Sequence, residues 1–167
     1  PSNEQLKCME EVAENLFEPL REWVGGPIKV NSFFRGEPVN TAIGGYRKSQ
    51  HMKGQAIDID DTFKHKTNAE MYHYIKDNLD FDQMIWEFGT DKNPNWVHIS
   101  WVSHRPNRKK LTIAYKENGR TKYYRFVNRR AIVVNYMYVD SNGYKHRCRR
   151  YNWVEQKKGN INGERYG

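Results

Sequence analysis

Ser49-Gln50-His51-Met52-Lys53-Gly54-Gln55-Ala56-Ile57-Asp58 sets a histidine and an aspartate seven residues apart, with Gly54 and Ala56 between them. An imidazole nitrogen and a carboxylate oxygen are a ligand pair that suits Zn²⁺. A second histidine follows in Trp96-Val97-His98-Ile99-Ser100. Three protein ligands with one position left for water is the layout of a catalytic zinc rather than a structural one. A lone His-x₆-Asp pair is more often a surface histidine and a solvated aspartate. The whole motif argues the other way, because Gly54 allows close backbone approach and Ala56 leaves space beside a metal.

Working outward, the motif runs into a strand at Ala56-Ile57-Asp58-Ile59-Asp60. Upstream, Ser2 with Gln5 reads as a capping box. Leu6, Met9, Ala13, Leu16, Leu20 and Trp23 then recur at helical spacing. Pro19 is expected to kink or divide that helix, and Gly25-Gly26 to end it. Residues 28–32 read as a strand and 33–50 as a loop. Thr67 with Glu70 caps a second helix, whose apolar face includes Met71, Tyr74, Ile75 and Leu79. Strands are expected over 81–88 and 96–101, with a turn-rich connection between them. Residues 111–116 and 121–126 flank Asn118-Gly119, a strong hairpin signal. Residues 131–139 and 144–151, joined by Asp140-Ser141-Asn142-Gly143, suggest another. The last Gly-rich residues read as disordered, and no internal repeat is present.

The chain has 167 residues, enough for one domain with an appendage. Its 11 tyrosines, 7 phenylalanines and 5 tryptophans can fill a compact core. No apolar run approaches the ~20 residues of a membrane helix, and Pro1-Ser2-Asn3-Glu4 does not read as a secretory signal. Cys8 and Cys148 make no disulfide framework, which suits a reducing compartment. Residues 1–104 hold 11 Lys/Arg against 16 Asp/Glu, whereas residues 105–167 hold 17 against 4. The basic character therefore belongs to the last third, whose expected partner is polyanionic.

The pattern S-x-H-x-x-G-x-A-x-D followed by W-V-H-I-S resembles the M15 family of zinc peptidases, the D-alanyl-D-alanine carboxypeptidases and related phage endolysins that cut peptidoglycan peptides. The likeness extends to Glu18–Glu22, Pro27–Ser32, Arg35, Val39-Asn40, Gly44-Gly45 and Phe81–Glu87, and covers roughly residues 3 to 125. It implies an α+β fold, a small antiparallel sheet flanked by helices. We read residues 1–128 as this zinc peptidase domain and 129–167 as a basic β-hairpin extension packed on it. The implied ligands of Zn²⁺ are His51, Asp58 and His98; Asp60 shares a strand face with Asp58 and is left beside the site or exposed. His65, His73, His104 and His146 read as surface residues.

A peptidase of this kind needs a carboxylate near the attacking water. Glu87 is the first candidate, since antiparallel pairing of 81–88 with 96–101 would bring it beside His98. Many family members carry the acidic catalyst three residues before the last histidine, where this chain has Asn95. Asp91 is the alternative base, and a zinc-containing but inert cell-wall-binding protein the alternative function. Arg35 resembles the family arginine that faces substrate and polarises the scissile carbonyl. Ser49 and Gln55 are further substrate-binding candidates. The expected substrate is a peptidoglycan stem peptide or cross-link, cleaved after synthesis in the cytoplasm by a protein acting at the bacterial wall, as phage lysis enzymes do. Basic residues between 105 and 158, interleaved with tyrosines, are expected to hold the protein on an anionic envelope; nucleic acid ranks third, because it leaves the zinc motif unexplained.

Overall fold

The computed structural model describes residues 1–126, together with the backbone of segments 129–139 and 145–155. The chain divides into two units, Pro1–Arg125 and Phe126–Gly167.

The first unit begins with a long helical run. Helix α1 (Asn3–Val12) starts at the Ser2–Gln5 capping box, both halves of which form. Helix α2 (Glu18–Val24) ends at Gly25, whose φ of 76° supplies the left-handed cap. Between them Ala13–Phe17 forms a π-turn, in which the Glu18 N–H bonds the Ala13 carbonyl five residues back. The proline therefore does not break the helix. It sits in the first turn of α2, behind a wider turn that relaxes the hydrogen-bond ladder. Val12, Leu16, Leu20 and Val24 are the buried residues of this run.

Strand β1 (Lys29–Ser32) follows. The stretch read as a plain loop contains helix α3 (Glu37–Ala42), with Pro38 in its first turn, and a 3₁₀ turn, Gln50–Lys53. Strand β2 (Ala56–Asp60) and helix α4 (Asn68–Asn78) match the sequence reading, including the Thr67–Glu70 capping box. One detail of α4 differs: Tyr72 is fully buried, while Tyr74 lies flat on Trp23 with ring centres 4.2 Å apart, tying α4 to α2. Strands β3 (Gln83–Glu87), β4 (Trp96–Ser100), β5 (Lys110–Glu117) and β6 (Arg120–Arg125) complete the unit. Asn118 and Gly119 both take positive φ, as a two-residue hairpin turn requires.

The sheet order is β1-β2-β4-β3-β5-β6, antiparallel except for β3 and β5. That parallel pair forces residues 101–109 to carry the chain back past the start of β3. Asp82, fully buried there, accepts from Arg105 Nη1 at 2.6 Å, Arg108 Nε at 2.9 Å and Gln50 Nε2 at 3.1 Å. Burial alone would raise its pKa, but the two guanidinium partners outweigh burial and hold it well below the usual carboxylate range. Two of the basic residues assigned to a polyanion are thus engaged inside the fold.

Among the described residues, no helix is long and apolar enough to cross a membrane. In the second unit β7 (Arg129–Val139) pairs antiparallel with β8 (Lys145–Glu155), from Arg129 opposite Glu155 to Val139 opposite Lys145. The turn expected at 140–143 and the tail expected to be disordered lie outside the described residues.

Candidate metal centre

His51 stands on the 3₁₀ turn just before β2, and two local devices fix it. Ser49 caps the turn by accepting from the His51 N–H at 3.3 Å. Gly54 closes it with φ 70°, and a Cβ there would fall 2.4 Å from the Gln5 carbonyl oxygen of α1. The close backbone approach expected of this glycine is made by helix α1. The chain leaving β1 wraps the same histidine: the Arg35 N–H donates to the His51 carbonyl at 3.2 Å, and the Phe33 carbonyl lies 2.6 Å from His51 Nδ1.

A carbonyl can only accept, so Nδ1 carries a proton, which leaves Nε2 as the nitrogen able to present a lone pair. That nitrogen lies 3.1 Å from Asp58 Oδ1 and 3.1 Å from His98 Nδ1; His98 Nδ1 and Asp58 Oδ1 are 2.8 Å apart. Asp58 pairs directly with His98 across β2 and β4, which places both side chains on one sheet face. His51 is completely buried and His98 nearly so. For His98, burial first lowers the pKa, against the pull of Asp58, and favours the neutral ligand form. Burial raises the Asp58 pKa, but the two histidine rings beside it outweigh burial and hold it well below the usual carboxylate range.

Three acceptors this close repel one another unless a proton or cation lies between them. The edges of a tetrahedron with metal–ligand bonds of about 2.0–2.1 Å are about 3.3 Å long, close to the observed triangle. His51, Asp58 and His98 are the residues whose donor atoms can hold a metal ion among those described. The hydrogen bond to Phe33 is the outer contact that fixes a ligating imidazole's tautomer.

β3 pairs antiparallel with β4, with Ile85 opposite His98 and Glu87 opposite Trp96. Glu87 therefore shares the face of His98 as its diagonal neighbour, within reach of a long side chain. It is buried, and its pKa is pushed up to about 7, first by burial and then by the Asp58 charge, against the lowering effect of Arg35. Arg35 Nη2 lies 4.0 Å from Asp58 Oδ2, and its buried Nε meets no hydrogen-bonding partner.

The other candidates fall elsewhere. Asn95 is an odd number of residues from His98, so strand alternation turns it from the site face; its N–H bonds the Glu87 carbonyl. Asp91 is exposed in the connecting turn. Gln55 lies just before β2, and its amide reaches Cys8 on α1 at 3.9 Å. Ser49 is occupied in capping. The Asp82 clamp was missed; an acid at a strand start with two arginines 23 and 26 residues later carries no motif.

Residues 4–100 match the family model described as peptidase M15. Among curated proteins no match is found.

Proposed function

The chain belongs to the M15 peptidase family, and from that premise we propose that it is a zinc-dependent peptidase that hydrolyses peptidoglycan stem peptides or cross-links in bacterial cell-wall lysis. The observation that carries this reading is the convergence of His51, Asp58 and His98 beside a buried carboxyl, Glu87, pushed up to about 7. A general base works best with a pKa near the working pH.

When bound by His51, Asp58 and His98, zinc supplies Lewis acidity that eases deprotonation of water and polarises a carbonyl. Ionised Glu87 takes one proton from the attacking water as the water oxygen bonds to the carbonyl carbon. The Arg35 guanidinium faces the negative charge that grows on the carbonyl oxygen. As the C–N bond breaks, Glu87 passes its proton to the departing nitrogen. The carboxylate is regenerated, and one water has become part of a new carboxyl and a new amine. Carboxypeptidase and endopeptidase activity use the same steps and differ only in which peptide fits. Basic residues within 105–158, other than Arg105 and Arg108, would hold the protein on the anionic envelope, and such a tether weakens with salt.

The test is incubation of the metal-replete protein with purified peptidoglycan, with and without a chelator, and identification of products by mass spectrometry. Chelator-sensitive release of one defined fragment is expected. Stoichiometric zinc with no cleavage would replace this reading with the inert wall-binding protein.

A further inference from the structure

Strand β6 lies beyond the family-matched segment, yet the register carries one of its side chains toward the site. Trp96, Glu87, Ala114 and Tyr123 are successive partners across β4, β3, β5 and β6. They form one row on the face that also bears Asp58 and His98. Strands about 4.8 Å apart put Glu87 and Tyr123 about 10 Å apart at the backbone. Between them stands only the methyl of Ala114, which is fully buried. Among the described residues, the register puts no tall side chain between the phenol and the carboxyl.

The electrostatics agree with that placement. Burial first, then the negative charges of Glu87 and Asp58, raise the Tyr123 pKa, while Arg35 lowers it. The phenol thus senses three members of the site and keeps its proton. Its side chain remains 57% exposed, and its hydroxyl makes no hydrogen bond among the described residues. Tyr124, the next residue, provides the contrast: it points to the other face, and its hydroxyl donates to Glu117 Oε1 at 2.6 Å.

We propose that Tyr123 is a substrate-contacting catalytic residue, its phenolic O–H donating a hydrogen bond to the scissile carbonyl oxygen as that oxygen becomes negative. This rests on the peptidase reading above. The hairpin of β5 and β6 is then one wall of the substrate cleft, built from chain outside the matched segment.

The test compares wild type, Tyr123→Phe and Tyr124→Phe, all zinc-loaded. It measures hydrolysis of peptidoglycan and, by calorimetry, binding of the phosphinate analogue of D-alanyl-D-alanine, whose tetrahedral oxygens imitate the charged carbonyl. Tyr123→Phe should lower kcat about a hundredfold to a thousandfold, as for loss of one oxyanion donor, with KM and zinc content unchanged. It should weaken phosphinate binding by a similar factor. Tyr124→Phe should match wild type in both. An active wild type with an equally active Tyr123→Phe overturns the role of Tyr123 and leaves the peptidase reading standing. A loss confined to KM also overturns it, because the contact is then to the ground state. A wild type that neither cleaves nor binds the phosphinate overturns both.

Discussion

Replacing Glu87 with glutamine separates what this residue does for chemistry from what it does to stability. The side chain is 7% exposed, and its carboxyl is pushed up from 4.5 to about 7. Below pH 4.5 the group is neutral whether the chain is folded or not, and it contributes no difference. As pH rises from 4.5 toward 7 the unfolded chain loses this proton while the folded chain retains it. The folded state then binds the extra proton, so stability falls with rising pH and levels off above about 7. The interval corresponds to about 3 kcal/mol. Glutamine keeps the shape and has no charge to desolvate. In metal-free protein followed by urea unfolding, Glu87→Gln should therefore be more stable than wild type by about 3 kcal/mol at pH 8 and by less than about 1 kcal/mol at pH 5. In the zinc-loaded protein the same change should lower kcat about 10²- to 10⁴-fold without loss of metal, and wild-type activity should fall once pH drops below the Glu87 pKa, which a bound cation shifts down from its metal-free value. A stability gain that is absent at pH 8, or equal at both pH values, would refute the view of Glu87 as a desolvated acid. Near-full activity would place the base elsewhere, with Asp91 next in line.

Three other outcomes follow from the geometry. Gly54→Ala puts a Cβ at positive φ against the backbone of α1 and should cost about 2–4 kcal/mol in urea unfolding, with weaker zinc binding because His51 lies on the same turn. Asp82→Asn leaves Arg105 and Arg108 without their carboxylate and should destabilise by about 2–3 kcal/mol at pH 7; the difference from wild type should begin to shrink as pH falls through the usual carboxylate range, where the unfolded chain gains the proton, and close only below it, where the folded Asp82 is protonated too. In equilibrium dialysis wild type should bind one zinc and His51→Ala none, and zinc at a thousandfold excess over its Kd should stabilise wild type alone by about 4 kcal/mol.

The strands were legible in the sequence because each carries a local signal: alternation in 56–60, turn residues around 96–100, and Asn118-Gly119 between β5 and β6. The group that could hold a metal was legible because two of its members share a short motif. What stayed hidden depends on pairing across distance. Nothing local says that β5 returns parallel to β3, and without that pairing Ala114 and Tyr123 have no relation to Glu87. Tyr72 and Tyr74 differ by two residues on a helix, so periodicity alone assigned the apolar face to the wrong one. Gln55 was singled out by its place in the motif, and nothing local announces its contact with Cys8 on α1. Helix α3 is six residues long, too short for a periodic stripe, and announced only by Pro38 following Gly36.

The buried residues of the first helical run stand four apart three times over. A regular helix turns 100° per residue, so that spacing drifts about 40° at each step and about 120° across the run. The wide turn at Ala13–Phe17 takes up the drift and serves as a phase correction between two docked ends. One end, at Gln5, lies over Gly54 beside the turn that carries His51. The other, at Trp23, lies on α4. Deleting Asn15 would restore a regular pitch and keep the two ends in phase, whereas inserting one residue within α1 would rotate one end by about 100° against the other. The helix cannot then seat both contacts, and a change in length some forty residues from His51 would be felt at its ring.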